Sequence, residues 1–304
     1  MIKGVDYMAI FGNNTAYVAA RAKSRRSSLM DRTRLRQLIQ QSPDQLTVAV
    51  ADNANRFQYQ NAKVVLRAVD NEVDVKKVAH SILPEESEIN TPWLKIIEES
   101  NTIREAVEQM RRLPFGKAML AVGEEEGLQK YEDALDRHYF KRSLSMLKGG
   151  SPEIRILKNH VCAEIDHRNI INILEGQAFG LSSEEITDAL IPGGRLISER
   201  SFSQASNSRD GLLDVLRLSS KFDSEGFQNL LIESDEKRTL DPAITWLKNR
   251  ETTQMQRMSY LHPISALPII HYVSSKVQEV EDLRFIVRGK MAGLTTDVLE
   301  AHVL

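Results

Sequence analysis

The chain has 304 residues, enough for two or three ordinary domains and a large buried core. Its 40 basic residues nearly cancel its 42 acidic ones, and a formal net charge of -2 excludes a global field that would draw in nucleic acid or anionic lipid. With 15 glycines and 9 prolines it lies below the usual roughly 7% and 5%, which favours long uninterrupted helices, and its lone cysteine, Cys162, excludes an intramolecular disulfide.

The N-terminus, Met1-Ile2-Lys3-Gly4-Val5-Asp6, lacks the apolar stretch of a signal peptide, and no window approaches the ~18 apolar residues of a membrane span. The chain is therefore expected in the cytoplasm unless a partner brings it to a membrane. Next comes a basic cluster, in which Arg21, Lys23, Arg25, Arg26, Arg32, Arg34 and Arg36 are accompanied by Asp31 alone. It reads either as a solvated helix face or as a contact surface for an acidic protein or a membrane, and Arg21, Lys23, Arg25 and Arg26 are the candidate partner-interface residues. No aromatics are interleaved, which argues against single-stranded nucleic acid.

Beyond this cluster, apolar residues recur at helical spacing, as in Ala62, Val65, Leu66 and Val69, or Leu283, Ile286, Val287 and Met291. The segments Leu46 to Ala51 and Lys117 to Val122 can be read as strands, although neither has a convincing partner nearby. The expected fold is all-α.

Laid on itself, the chain repeats. Segment 61–84 aligns without a gap on 169–192 at a shift of 108, and segment 282–304 aligns at a further shift of 113, pairing Gly176-Gln177 with Gly289-Lys290 and Gly180-Leu181-Ser182 with Gly293-Leu294-Thr295. Each copy reads as a helix, a break and a second helix, capped by Ser182 or Ser183 with Glu185, by Thr295 or Thr296, and by Asp74. Arg104 through Leu113 matches Arg209 through Leu218 at a shift of 105, and Glu126-Gly127-Leu128-Gln129 resembles Glu225-Gly226-Phe227-Gln228. A period near 100 residues is too long for a solenoid, so each unit is expected to form its own bundle, about 1–114, 115–222 and 223–304, closing around a pseudo-threefold axis.

No catalytic, cofactor or metal residues are assigned. Gly289-Lys290 is followed by Met291 with no glycine at position 284, so it makes no phosphate loop, and Gly193-Gly194 suits a tight turn. His160, Cys162, Asp166 and His167 cluster in sequence, but a helix separates the two histidines by two turns, roughly 10 Å. Cys162 reads as a small core residue. The run Glu132-Asp133-Ala134-Leu135-Asp136 resembles the magnesium-diphosphate motif of all-helical isoprenoid synthases, but the second acidic motif that these enzymes need is missing. The plainer reading is a solvated helix face beside an apolar stripe of Leu135, Tyr139 and Leu144. A free-standing helical scaffold is a further alternative.

The stretch His262-Pro263-Ile264-Ser265 through Tyr272, Lys276, Glu279 and Leu283-Arg284-x-Ile286, then Gly289-Lys290-x-x-Gly293-Leu294, closely resembles the C subunit of archaeal A-type ATP synthases and its eukaryotic relative, the d subunit of the vacuolar ATPase. Asp166, Asn169, Ile173-Leu174 and Leu190-Ile191-Pro192-Gly193-Gly194 fit the same pattern, as do Tyr17 and Arg21. The family usually carries arginine after the leucine of the repeated helix, as in Leu66-Arg67 and Val287-Arg288, whereas the second copy has Leu174-Glu175.

The resemblance implies a funnel of three bundles, without catalysis or cofactor. It would lie peripherally at the cytoplasmic face of the membrane, between the proteolipid rotor ring and the central-stalk axle formed by the D and F subunits. Proton- or sodium-driven rotation would pass through it to the catalytic A and B subunits.

Overall fold

The computed structural model describes residues 46–82, 91–263, 267–272 and 274–275. All regular structure among these residues is helical. The stretch beginning at Leu46 opens a long helix, and Gly116–Leu120 forms a short one, so neither strand-like run is a strand. The apolar run at Leu46 leads without a turn signal into the helical periodicity of 62–69, and the helical hydrogen-bond ladder continues through it. By contact density the chain divides into two compact units, one spanning Val50–Met146, which takes α1 from Val50 on, and one holding the described residues 46–49 and those from Leu147 onward.

In the first unit, α1 (Leu46–Asp70) is followed by α2 (Val75–Val78), a 3-10 turn (Ala79–Ser81), α3 (Thr91–Glu99), α4 (Ile103–Gln109), α5 (Gly116–Leu120) and α6 (Leu128–Met146). Leu66, Ala106, Met110, Phe115, Met119 and Leu135 are fully buried. Helices α1 and α6 run antiparallel. Tyr59, Lys63 and Arg67, four residues apart along α1, meet His138, Asp136 and Glu132 along α6, at 2.7, 2.6 and 2.5 Å. Tyr59 also packs against Phe115 and Tyr139, with ring centroids 4.8 and 5.3 Å apart.

In the second unit, α7 (Pro152–Ala178) is the central element, started by Ser151, whose hydroxyl accepts the Ile154 N–H, and by Pro152 at the first helical position. Around it lie α8 (Ser183–Ala189), α9 (Phe202–Asn207), α10 (Arg209–Arg217), α11 (Ser224–Lys237) and α12 (Asp241–Leu261). Ile170, Ile173 and Leu174 of α7 share one apolar core with Ile186, Phe202, Leu212, Phe227 and Leu247. The α11–α12 pair is fastened by a Phe222, Phe227 and Trp246 cluster, and the Arg250 guanidinium lies 5.1 Å from the centre of the Phe222 ring.

The first two copies of the repeat have the same local structure. Helices α1 and α7 end at Asp70 and Ala178, and α2 and α8 begin at Val75 and Ser183, both pairs 108 residues apart. Three chain-reversing bonds recur at the same shift. Asn71, Glu72 and Val73 donate to Arg67, Val69 and Ala68, while Phe179, Gly180 and Leu181 donate to Glu175, Gln177 and Gly176. Burial follows: Asn61, Ala62, Val65, Leu66, Val78 and Ile82 are buried, as are Asn169, Ile170, Ile173, Leu174, Ile186 and Leu190. Of the two serines offered as caps, Ser182 closes a capping box with Glu185, and Asp74 takes the equivalent place by accepting the Lys76 N–H. The third copy, segment 282–304, lies outside the described residues.

The break requires a left-handed residue. Gly180 supplies it with φ 74°, but the first copy places Glu72 there with φ 50°. A left-handed L-residue costs roughly 1–2 kcal/mol, partly offset in glycine by its greater freedom when unfolded. Glu72→Gly is therefore expected to stabilise the protein by about 0.5–1 kcal/mol, and Gly180→Ala to destabilise it by a similar amount. Urea midpoints of the two variants moving in the same direction would refute this.

Two of the weaker sequence matches shift in the structure. The α4 and α10 N-caps are Thr102 and Ser208, and buried Ala106, Val107 and Met110 correspond to Leu212, Leu213 and Leu216, a shift of 106 instead of 105. The arginines that suggested 105 are mostly surface residues, whereas cap and buried face set the register. Gly127 precedes α6, but Gly226 lies in the first turn of α11 with its N–H on Asp223, so these two segments are not equivalent.

Candidate functional site

The break of the second copy is the best defined candidate site. It joins α7 to α8 and leaves Phe179 81% exposed, with Leu181 also exposed. Large apolar side chains exposed on a capped corner suit partner contact.

Behind the corner, two side chains of α7 hold the returning chain. The Asn169 amide is fully buried, donating to the Ile191 carbonyl at 2.9 Å and accepting the Ile191 N–H at 2.8 Å. One turn earlier, the Asp166 carboxylate accepts the N–H groups of Arg195, Leu196 and Ile197 at 2.8 to 3.1 Å. Burial pushes the Asp166 carboxyl above its ordinary pKa, opposed by these three backbone donors. Gly194 passes so close to Asp166 that a Cβ there would overlap the carboxylate. The motif Asp166, Asn169 and Leu190 to Gly194 thus positions backbone. Gly176 has a similar steric role, since its Cβ would lie 2.7 Å from Ile186 Cγ1, where α7 and α8 touch.

The acidic run on α6 is not a solvated face: Glu132 and Asp133 are each 7% exposed. Glu132 is bound by both ends of the Arg67 guanidinium at 2.5 and 2.7 Å, and Asp136 by Lys63 at 2.6 Å. Burial pushes the Asp133 carboxyl up, and its Oδ1 accepts the Gln129 amide at 3.0 Å. With these cations in place the carboxylates join two helices, which disfavours a magnesium-diphosphate site. Arg67 is the residue that departs in the second copy, where the equivalent Glu175 is exposed on α7.

Of the sequence cluster on α7, Asp166 is committed to backbone and Cys162 is buried, its thiol pushed up chiefly by desolvation, which makes it a poor nucleophile. His160 and His167 both face Glu251 of α12, at 3.8 and 3.4 Å. Sequence reasoning missed Glu251, because no local pattern links residues 84 apart. Near the first break a polar cleft of about 310 Å³ is lined by Asp70, Glu72, Arg104, Glu124 and Glu126. Its Arg104 already meets Glu108 and Glu124 at 3.6 and 3.5 Å.

The expected interface residues Arg21, Lys23, Arg25 and Arg26 lie outside the described residues, as do Lys276 through Leu294 of the C-terminal motif. Among the described residues no helix is long and apolar enough to cross a membrane.

Residues 33–302 match the family model described as ATP synthase (C/AC39) subunit. The C subunit of the A-type ATP synthase of Halorubrum lacusprofundi is 28% identical over 267 residues, covering 84% of this chain and 73% of that protein. The protein of the same name from Haloquadratum walsbyi is 25% identical over 363 residues, covering 98% of this chain and 100% of its own. That of Haloferax volcanii is 26% identical over 262 residues, covering 84% and 73%.

Proposed function

We propose, because the chain belongs to the ATP synthase (C/AC39) subunit family, that it is the non-catalytic central-stalk coupling of a rotary A-type ATP synthase. It would lie peripherally at the cytoplasmic face of the membrane, joining the proteolipid ring to the D and F subunits. Rotation driven by a proton or sodium gradient would thereby reach the catalytic A and B subunits. The observation that carries this reading is the match over residues 33–302.

Three bundles, about 1–114, 115–222 and 223–304, arranged around a pseudo-threefold axis would suit a part that turns with an axle. The identical bonding of the two described breaks supports a repeated helix–break–helix unit. Exposed Phe179 and Leu181 and the paired carboxylates of α6 fit a load-bearing binding role better than turnover of a substrate.

Two interfaces under torque each need at least a standard area, roughly 1,600 Å² in total. Arg21, Lys23, Arg25 and Arg26 are proposed to lie in one of them. Affinity-tagged wild-type chain is expected to co-purify with ring and axle proteins, and the triple reversal of Arg21, Arg25 and Arg26 to glutamate to lose one of these groups by at least tenfold. Unchanged assembly of the triple variant would remove the basic cluster from the interface. A wild-type chain that recovers neither ring nor axle would overturn the coupling role itself.

A further inference from the structure

Helix α7 carries His160, Glu164 and His167 at i, i+4 and i+7, so all three side chains stand on one face. From α12, Glu251 reaches between them. Its Oε1 lies 3.8 Å from His160 Nε2 and its Oε2 lies 3.4 Å from His167 Nδ1. One potential ligand atom from each of His160, Glu164 and Glu251 falls within 4.8 Å of the others. We propose that His160, Glu164 and Glu251 form a binding site for a divalent transition-metal ion of the zinc class, with His167 as the outer partner that orients Glu251.

The chemistry of the donor set supports this assignment. Two carboxylates balance the charge of a dication, and the imidazole nitrogen selects transition metals over magnesium or calcium, which prefer oxygen alone. Metal–ligand bonds of about 2.0–2.2 Å bring tetrahedral ligand atoms to within roughly 3.4 Å of one another. The observed separations close to that value by small side-chain rotations. The side chains of His160 and Glu251 are partly exposed, at 19% and 27%.

The two histidines are too far apart along α7 to share an ion. The structure instead gives them different tasks, since a carboxylate can ligate through one oxygen while the other accepts the N–H of His167. Three protein ligands leave a fourth position for water or for a donor from a neighbouring protein. The site ties α7 to α12 and is independent of the rotor reading.

Isothermal titration of the full-length chain, stripped of metal with EDTA, with zinc chloride at pH 7 tests the proposal. One equivalent is expected to bind with micromolar or tighter affinity, unaffected by magnesium. His160→Ala and Glu251→Gln should each weaken it at least tenfold and His167→Gln about tenfold to a hundredfold, while Cys162→Ala should change nothing. No saturable zinc binding, or undiminished binding in H160A and E251Q, would overturn it. If circular dichroism shows a variant unfolded, the cobalt-loaded wild type decides. An intense visible spectrum of four-coordinate cobalt supports the site, and the weak absorption of an octahedral aquo ion sinks it.

Discussion

Replacing Asp166 with alanine is expected to destabilise the protein by about 3 kcal/mol, since hydrogen bonds to a charged acceptor contribute roughly 1.5–3 kcal/mol each. Three backbone N–H groups, those of Arg195, Leu196 and Ile197, depend on this carboxylate, and Ile197 is fully buried. Arg195 is exposed, so water can replace part of its bond, which keeps the total below the sum of three. Asp166→Asn keeps the shape but turns an N–H toward donors, so it should recover little. Gly194→Ala attacks the same contact from the opposite side, because its Cβ would occupy the carboxylate's position. Urea denaturation gives the loss, and hydrogen exchange locates it: the amides of 195–197 should lose protection in D166A well before those of α10. A loss under 1 kcal/mol, or uniform loss of protection, would show that the loop is held by other contacts.

The second large effect concerns the crossing of α7 and α8. Gly176→Ala places a methyl 2.7 Å from Ile186 Cγ1 and 3.2 Å from its Cδ1. Overpacking of this kind costs roughly 1–3 kcal/mol, opposed by up to about 1 kcal/mol of helix propensity, so a net loss of about 1–2 kcal/mol is expected. The first copy of the repeat carries Ala68 and Val78 at the equivalent positions, moving one carbon from the long side chain to the short one. Ile186→Val alone should cost about 1 kcal/mol by leaving a void. In the double variant G176A/I186V at least half of the glycine penalty should disappear, because the second unit then carries the combination found in the first. Additive losses in the double-mutant cycle would mean that the clash is relieved elsewhere in the helix.

The repeated corner was almost entirely legible in the chain. The 108-residue shift, the caps at Asp74 and Ser182, and the buried faces of α1 and α7 all follow from local pattern and reappear in the structure. At α4 and α10 the cap and the buried face set a shift of 106, whereas the surface arginines align at 105. The acidic run of α6 is buried at Glu132 and Asp133 for a reason equally remote from local pattern. Glu132 and Asp136 resemble a solvated face until Arg67 and Lys63, far earlier in the chain, are brought against them.

The sequence by itself determined the helical class, the family and the helix–break–helix unit, because periodicity, capping and left-handed turns are decided within a few residues. Only the tertiary structure decided what the motif residues do. It made Asp166, a member of the His/Cys/Asp cluster, and Asn169 into backbone clamps, gave Glu132 its arginine, and set Glu251 between two histidines that α7 alone keeps two turns apart. Those outcomes depend on which helix faces which. That choice is made by burial summed over many distant residues, not by any short stretch of chain.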